Sequence, residues 1–327
     1  MKILVTGGLG FIGHNVVAQL EALGHEVVIT DNKTTYGIIP QEEIDYLITE
    51  RRKKVLTDRI YGIDIANGDS VDWLVKSYNF DAIIHLASFP RQKVVNANPA
   101  VGSKTMSEGL LNLLEASVKH NVNKFVYVSS SMVYGDFKDT YFDGVDETHQ
   151  TKPLGQYGIM KLAGEWLVQD YSRRTSLKHT IIRPSAVYGP LDVEDRVVAK
   201  FMLAAMRNET LKVNGANETL DFTYVDDAAK GIVDATVSNN TDNKIYNLTR
   251  GESKSLLEAA ELAVKIAGQG TIEVKDKDLN FPSRGALNTL SARQDFVFDP
   301  KVDVEEGFQR YYDWLASSPF WAEQLSK

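Results

Sequence analysis

Lys2–Thr6 (KILVT) runs directly into residues 7–13 (GGLGFIG) at the start of this 327-residue chain. The apolar run predicts a buried strand, and the apolar pattern after the glycines predicts a helix. Gly8, Gly10 and Gly13 keep the G-x-G-x-x-G spacing, in which glycines let the backbone turn tightly and bring a helix N-terminus close to a pyrophosphate. The stretch therefore predicts the nucleotide-binding turn of a parallel α/β sheet.

The alternation of strand and helix continues over the first 190 residues. Apolar runs predict strands at residues 2–6, 26–31, 59–61, 81–86, 124–129 and 180–183. Longer helical patterns predict helices at residues 12–23, 102–119 and 156–172. Such alternation indicates right-handed crossovers and a parallel sheet.

After Pro190 the alternation becomes less regular. Helices are predicted at residues 195–208, 226–238, 255–267 and 305–316, and short strands at residues 244–248 and 271–274. We therefore predict an α/β protein of two domains. Residues 1–190 would form a Rossmann-type, doubly wound parallel sheet with an insertion at 33–54, and residues 191–327 a smaller mixed α/β substrate-binding lobe. Some segments of this lobe can return to the first domain.

The insertion is unusually long, and its segment 41–54 has a helical pattern. This helix ends in four cations, Arg51-Arg52-Lys53-Lys54. Cations at a helix C-terminus complement its dipole, so we expect a solvated helix end here. Contact with a phosphate is the alternative.

The overall composition excludes several classes of function. A formal net charge of −8 argues against an extended nucleic-acid surface, which needs a basic footprint. The chain has no Cys, which excludes disulfides, thiolate catalysis and a Cys-based zinc site, and we predict no metal site. No apolar run reaches about 18 residues, and the first strand leaves no room for a signal peptide. We expect a cytoplasmic protein with no membrane partner.

Tyr157 stands four residues before Lys161, which places a phenol and an ammonium on one face of the predicted helix 156–172. Together with the glycine turn about 150 residues earlier, this pair resembles the extended short-chain dehydrogenase/reductase family, whose members are mostly nucleotide-sugar epimerases and dehydratases. The resemblance continues at residues 182–190 (IRPSAVYGP) and 221–227 (DFTYVDD), so it spans nearly the whole chain.

Asp31 ends the second predicted strand, 18 residues after Gly13 (31 − 13). A carboxylate at this point accepts hydrogen bonds from the adenosine ribose and repels a 2′-phosphate, so we expect NAD rather than NADP. The resemblance implies further cofactor contacts at Gly7, Gly10, Phe11, Ile12, Gly13, Asn32, Asp64, Ile65, Leu86, Ala87, Ser88, Ser129, Tyr157, Lys161 and Pro184. We assign no catalytic role to His85.

The resemblance also implies the catalytic residues. Counting back from the Val-Tyr-Gly of residues 133–135 places the active-site hydroxyl at Ser130. Tyr157 is then the general base, although bringing a phenol pKa from near 10 to about 7 takes roughly 4 kcal/mol in favour of the phenolate. We expect Lys161 and the positive nicotinamide ring to supply that field. Lys161 would also hold the nicotinamide ribose, and Ser130 would bind the oxygen that Tyr157 deprotonates.

Two departures from the family pattern bear on the substrate. The family commonly has Asn at the position of Ala186, and at the position of Leu220 an Arg that touches the diphosphate. Another cation must then serve a diphosphate, or the substrate is not a conventional nucleotide sugar. The candidates by position are Arg91, Lys93, Arg196 and Arg284, with Ser131 as a further substrate contact.

The residues after Ser130 discriminate between reactions. Dehydratases of the family place Asp-Glu there and decarboxylating relatives keep a Glu, whereas this chain has Ser131-Met132. We therefore predict a 4-epimerase that oxidises a ring carbon transiently to a ketone and returns hydride to the other face. The alternatives are an NAD-dependent sugar oxidoreductase or dehydratase with net turnover, and a non-catalytic NAD-binding regulator.

Two partners are expected. The first is a nucleotide-sugar substrate, with no nucleic acid. The second is another copy of the chain, because the resemblance and the apolar faces of the helices near 102–119 and 156–172 indicate a homodimer.

Overall fold

The computed structural model describes residues 1–34, 39–89, 92–137 and 144–325. Its strands are β1 Lys2–Thr6, β2 Glu26–Thr30, β3 Ile60–Tyr61, β4 Ala82–His85, β5 Lys124–Val128, β6 Lys178–Pro184, β7 Val187–Tyr188, β8 Thr210–Asn214, β9 Thr219–Asp221, β10 Thr223–Tyr224, β11 Lys244–Leu248, β12 Ser253–Ser255 and β13 Thr271–Lys275.

The helices are α1 Phe11–Ala22, α2 Gln41–Lys53, α3 Gly68–Tyr78, α4 Gln92–Ala97, α5 Pro99–Ser103, α6 Gly109–Lys119, α7 Gln156–Arg174, α8 Val197–Met206, α9 Val225–Val237, α10 Leu256–Ala267, α11 Leu290–Phe296, α12 Val304–Ser317 and α13 Pro319–Leu325. A π-helical turn, Lys104–Glu108, joins α5 to α6, and Ser131–Val133 and Asn239–Thr241 form 3₁₀ turns. Within the described ranges, no helix combines the length and the apolar character needed to cross a membrane.

Seven parallel strands of the described chain form one sheet in the order β3-β2-β1-β4-β5-β6-β11. The first six follow the order typical of dinucleotide-binding domains, with the reversal between β1 and β4. Strands β4 and β5 are fully buried, as expected for a parallel sheet covered on both faces. Helices α1 and α9 pack on one face, and α3 and α6 pack on the other. The predicted doubly wound α/β fold is confirmed.

A second lobe is built around α8, α10 and α12, whose apolar side chains share one core with the parallel pair β8 and β13. Not every element after residue 190 belongs to it. Strand β11 pairs with β6 in register from Lys244 with Thr180, and α9 packs in the core of the first lobe. These two elements return to the first domain.

The predicted helix 102–119 is interrupted by the π-helical turn Lys104–Glu108. Just after it the backbone approaches a neighbouring segment closely, since a Cβ on Gly109 would lie 2.6 Å from Cγ1 of Ile65. Such π-helical turns often occur at functional sites. Thr105, within this turn, lies close to the glycine turn of residues 7–13.

Helix α3 is not among the predicted helices, although its sequence has a capping residue and an apolar face. The side chain of Asn67 caps it by accepting a hydrogen bond from the N–H of Ser70 at 3.0 Å. Val71, Leu74 and Val75 then bury one face at helical spacing.

Candidate active site

Two cavities adjoin at the carboxyl ends of the central strands, where open α/β sheets bind ligands. The smaller has a volume of about 250 Å³ and is lined by the glycine turn and the ends of β1, β2 and β4. The larger, of about 850 Å³, extends from the ends of β5 and β6 into the second lobe. Both are lined by Phe11, Ile12, Leu86, Ser88 and Arg196.

The glycine turn is a cradle that side chains would fill. Gly7 adopts a φ of +69°, and a Cβ there would lie 2.8 Å from the amide nitrogen of Ala87. A Cβ on Gly10 or Gly13 would lie 2.9 or 2.1 Å from the carbonyl oxygen of Gly7. Because these contacts are with backbone atoms, only glycine fits, and the open turn at the start of α1 suits the pyrophosphate of a dinucleotide.

Asp31 lies directly after β2 and lines the smaller cavity. Its carboxylate accepts hydrogen bonds from the N–H groups of Leu9 at 3.0 Å and Lys33 at 2.8 Å. Strand β2 ends at Thr30, one residue earlier than predicted. Burial raises the pKa of Asp31, and the two N–H groups oppose that shift.

Most of the predicted cofactor contacts meet in the smaller cavity. Its lining includes Gly7, Gly10, Phe11, Ile12, Gly13, Asp31, Asn32, Ile65, Leu86, Ala87 and Ser88. Asp64 is exposed and lies outside both linings, since its carboxylate turns back to accept the N–H of Ala66 at 2.9 Å. Its contact with the adenine stays a prediction. Thr105 and Arg51 also line the cavity; Arg51 belongs to the cation cluster noted in the sequence, whereas no local motif singles out Thr105.

Ser130, Tyr157 and Lys161 come together in the larger cavity. Tyr157 and Lys161 lie on the first turns of α7, as the spacing predicts, and Ser130 caps the short turn Ser131–Val133. Oγ of Ser130 accepts the N–H of Met132 at 3.2 Å, and the Ser130 hydroxyl is among the groups that lower the pKa of Tyr157. Nζ of Lys161 donates to the carbonyl oxygen of Val128 at 2.8 Å and lies 5.9 Å from the ring centroid of Tyr157.

The electrostatics of this set differ from the expectation. Burial raises the pKa of Tyr157, and the groups that oppose this are Arg196, the hydrogen bond from Ser130, and Arg284. Burial also lowers the pKa of Lys161 to about 7, against the attraction of Glu165. Of the chain's own charges, the two arginines therefore favour the phenolate, whereas Lys161 is itself partly neutral near pH 7.

A buried polar network holds the catalytic helix against the serine turn. Glu165, one helical turn after Lys161, accepts the Ser129 hydroxyl at 2.5 Å and two hydrogen bonds from Arg183 at 2.9 and 2.6 Å. Arg183 also donates to the hydroxyl of Tyr134 at 2.8 Å. Since β5, β6 and α7 each contribute a member, the network fixes the relative position of the three elements.

Four of the five predicted substrate residues lie in the larger cavity. Lys93, Arg196, Arg284 and Ser131 line the larger cavity, and Arg91 lies outside the described residues. Pro184, predicted as a cofactor contact, lines this cavity too. Oγ of Ser131 is buried and has no hydrogen-bond partner among the described residues. The same holds for Nε of Arg284. Both groups are thus available to a ligand of this cavity.

Arg284 lies beside the position where the family's arginine is absent. Its backbone forms an antiparallel bridge with Thr219, the residue before Leu220, and the Thr219 hydroxyl bonds the Arg284 carbonyl. Leu220 itself lines the same cavity. A cation from a neighbouring segment therefore stands next to the leucine.

Ala186 also lines this cavity, with a φ of +36°. This left-handed region is costly for a residue with a Cβ, and among such residues Asn tolerates it best. The position thus has a backbone reason to favour Asn, which this chain does not use.

A dinucleotide-binding sheet with serine, tyrosine and lysine at its carboxyl edge defines a nicotinamide-dependent enzyme that acts on a hydroxyl or carbonyl group. Residues 3–249 match the family model described as NAD dependent epimerase/dehydratase family. The chain belongs to this family, and its cofactor is NAD. The predicted resemblance and the predicted cofactor are confirmed.

Individual relatives match along almost the whole chain. A putative UDP-glucose 4-epimerase of Methanocaldococcus jannaschii is 29% identical, with 97% of this chain and 99% of the relative covered. The structure of UDP-glucose 4-epimerase from Thermotoga maritima with UDP-glucose has 28% identity and a TM-score of 0.85, covering 96% of this chain and 98% of that one. UDP-glucuronic acid 4-epimerase from Bacillus cereus, in complex with UDP-glucuronic acid and NAD, has 28% identity and a TM-score of 0.86 at the same coverage.

Proposed function

We propose that the chain is a nucleotide-sugar 4-epimerase, which oxidises a ring carbon to a ketone and reduces it again from the other face. The observation that carries the proposal is a Ser130, Tyr157 and Lys161 set in which the two residues after Ser130 are not acids. Elimination of water needs a further acid and base beside the reacting carbon. Ser131 and Met132 occupy the positions where relatives that eliminate or decarboxylate carry acids.

The carboxylates of the larger cavity have other partners. Among its described lining residues they are Asp195, Glu218 and Asp278. Asp195 pairs with Lys200 at 2.5 Å, and Glu218 accepts the Ser283 hydroxyl at 2.8 Å. Asp278 accepts the N–H of Asn280 at 3.0 Å. None of the three is among the groups that shift the pKa of Tyr157, which supports epimerisation over dehydration.

The proposed roles follow from the geometry. Tyr157 removes the proton of a substrate hydroxyl, with Arg196 and Arg284 favouring its phenolate. Ser130, whose hydroxyl lies close enough to Tyr157 to favour its phenolate, donates to the substrate oxygen as it becomes a carbonyl. NAD, when bound, supplies the hydride acceptor and donor. Lys161 would hold the nicotinamide ribose.

The chain's own residues would hold the cofactor at its other end as well. The glycine turn would receive the pyrophosphate through backbone N–H groups, and Asp31 would accept hydrogen bonds from the adenosine ribose. The carboxylate at this place supports NAD over NADP.

For the substrate we propose a uridine-diphosphate sugar with Arg284 at its diphosphate. The buried Nε without a partner and the place beside Leu220 support this assignment. The relatives named as acting on UDP-glucose and UDP-glucuronic acid support the uridine nucleotide.

The test is incubation of the purified protein with UDP-glucose, UDP-glucuronic acid and UDP-N-acetylglucosamine, with Tyr157→Phe as the matched control. Proton NMR should show conversion to the C4 epimer in the wild type alone, without accumulation of reduced nicotinamide. Stoichiometric reduced nicotinamide would assign an oxidoreductase instead, and loss of water a dehydratase. No turnover despite bound NAD would assign a regulator.

We also propose that the chain forms a homodimer through α6 and α7. Both helices present apolar side chains to the exterior, namely Leu111 on α6 and Ile159 and Trp166 on α7. Trp166 is 63% exposed, which is unusual for so large an apolar group. Light scattering should give twice the chain mass for the wild type, and Trp166→Glu should shift it toward the monomer. A monomeric wild type at micromolar concentration would refute the proposal.

A further inference from the structure

Helix α2, which forms the insertion, bridges the two lobes. The Tyr46 hydroxyl hydrogen-bonds Oγ of Ser318 at 2.6 Å, and the Tyr46 ring stacks on Phe320 with centroids 4.7 Å apart. Glu43 accepts the N–H of Glu194 at 2.7 Å. The other side of the helix lines the smaller cavity. Hence α2 touches the cofactor end of the molecule and the second lobe at once.

Arg51 on this helix is not the solvated cation that its sequence context predicts. It is only 6% exposed and lies between two backbone carbonyl oxygens that are far apart in the chain. Nε and Nη2 donate to the oxygen of Leu191 at 3.2 and 2.7 Å, and Nη1 donates to that of Leu9 at 3.3 Å. The neighbouring Arg52 is 39% exposed and pairs with Asp58, as expected of a helix end.

The two carbonyls belong to functional segments. Leu9 lies in the glycine turn, so Arg51 bonds the backbone of the cofactor cradle. Leu191 opens the segment 191–196 and has a φ of +67°, which is strained for a branched residue. The segment ends at Arg196, which lines both cavities. The bonds from Arg51 therefore stabilise a turn that sets where Arg196 stands.

We propose that Arg51 is a positioning residue that couples the two cavities, so that occupation of the glycine turn orders the segment 191–196 and favours binding in the larger cavity. The guanidinium suits this role because its planar fork directs Nη1 to one carbonyl and Nε and Nη2 to the other, a fixed spread of donors that a lysine side chain does not have. The first part of the proposal, that NAD orders residues 191–196, is its cofactor arm and depends only on the family's NAD site. The second part, that this favours binding in the larger cavity, is its substrate arm and rests on the proposed function.

The cofactor arm is tested by hydrogen–deuterium exchange with and without NAD in the wild type, Arg51→Gln and Arg52→Gln. NAD should slow exchange of the amides of residues 191–196 in the wild type and in Arg52→Gln, and the protection should be lost in Arg51→Gln. Equal protection in Arg51→Gln, or none in the wild type, overturns the coupling. Arg51→Lys serves as a second variant that keeps the buried charge. Protection should be lost there too, and full protection would overturn the bridging role.

The substrate arm is tested by calorimetry of uridine diphosphate binding with and without NAD. Coupling is reciprocal, and NAD should raise the affinity by about 5-fold or more in the wild type and Arg52→Gln. In Arg51→Gln the ratio of the two affinities should approach one, a change that simple destabilisation would not produce. An unchanged ratio overturns the proposal. If uridine diphosphate fails to bind the wild type while the exchange result holds, the proposed nucleotide substrate is wrong and the coupling stands.

Discussion

The two cavities are built in different ways. The smaller is shaped by backbone, since the carbonyl of Gly7, the glycine turn and the end of β4 leave room for a ligand only where side chains are missing. The larger is shaped by side chains from separated segments, among them Ser130, Tyr157, Arg196 and Arg284. A site that is shaped by the backbone can be predicted from one local sequence motif. A side-chain-built site depends on how distant segments pack.

The largest expected effect comes from one oxygen atom in the larger cavity. Tyr157→Phe removes the general base and should lower the rate of reduction of bound NAD by substrate about 10²- to 10⁴-fold. NAD affinity and the unfolding free energy should stay near the wild type, because the smaller cavity is unchanged. Single-turnover absorbance of reduced nicotinamide gives the rate. A near-normal rate would move the chemistry to another residue.

The converse experiment adds one atom to the smaller cavity. A Cβ on Gly13 would lie 2.1 Å from the carbonyl oxygen of Gly7, so Gly13→Ala should lower stability by about 1–3 kcal/mol or more and abolish the calorimetric signal of NAD. Gly62→Ala is the matched control, since a Cβ there meets nothing within 4 Å. If both variants bound NAD alike, the backbone account of this cavity would be wrong.

This difference also explains what could be predicted from the sequence. Lys2–Thr6 and the strand 244–248 have the bounds that their apolar patterns predict, and Tyr157 and Lys161 share a face because helical spacing is local. The bridge between Thr219 and Arg284 is not local, and neither is the burial of Arg51 between Leu9 and Leu191.

The π-helical turn at Thr105 is another feature that the sequence analysis did not predict. The sequence identifies Arg284 as a candidate cation. Only the tertiary structure shows that it lies beside Leu220. The electrostatic field that favours the phenolate of Tyr157 could not be predicted from local sequence either, because its main charged sources are Arg196 and Arg284.

Arg284→Gln tests the side-chain-built cavity directly. Loss of a charge-assisted contact costs about 1.5–3 kcal/mol, so the affinity for uridine diphosphate should fall roughly 10- to 150-fold. Lys93→Gln is the comparison, because Lys93 lines the same cavity from an exposed position on α4. Calorimetry should show a much smaller loss for it. Equal losses, or none, would remove Arg284 from the diphosphate.

Lys161 lines the larger cavity and should impose a pH dependence on the stability of the protein without cofactor. Burial lowers its pKa from 10.5 to about 7 on folding. Between these values the unfolded chain binds the proton and the folded chain does not, so stability should rise with pH across this interval. The slope is at most about 1.4 kcal/mol per pH unit.

Lys161→Met isolates this contribution. The difference in unfolding free energy between wild type and variant, measured in urea at several pH values, should shift in favour of the wild type as pH rises through the interval. A constant difference would show that the folded chain keeps Lys161 protonated.

The smallest effect concerns the backbone of the side-chain-built cavity, at Ala186. Its φ of +36° costs a residue with a Cβ roughly 1–2 kcal/mol, part of which Ala186→Gly should recover. Glycine also loses about 0.4–1 kcal/mol more chain entropy on folding, so the net gain should be about 1 kcal/mol or less. Ala322→Gly, within the exposed part of α13, should instead destabilise by about 0.5–1 kcal/mol. Urea unfolding of the two variants should therefore give opposite signs, and a loss of stability at both positions would mean that the turn at Ala186 carries no strain.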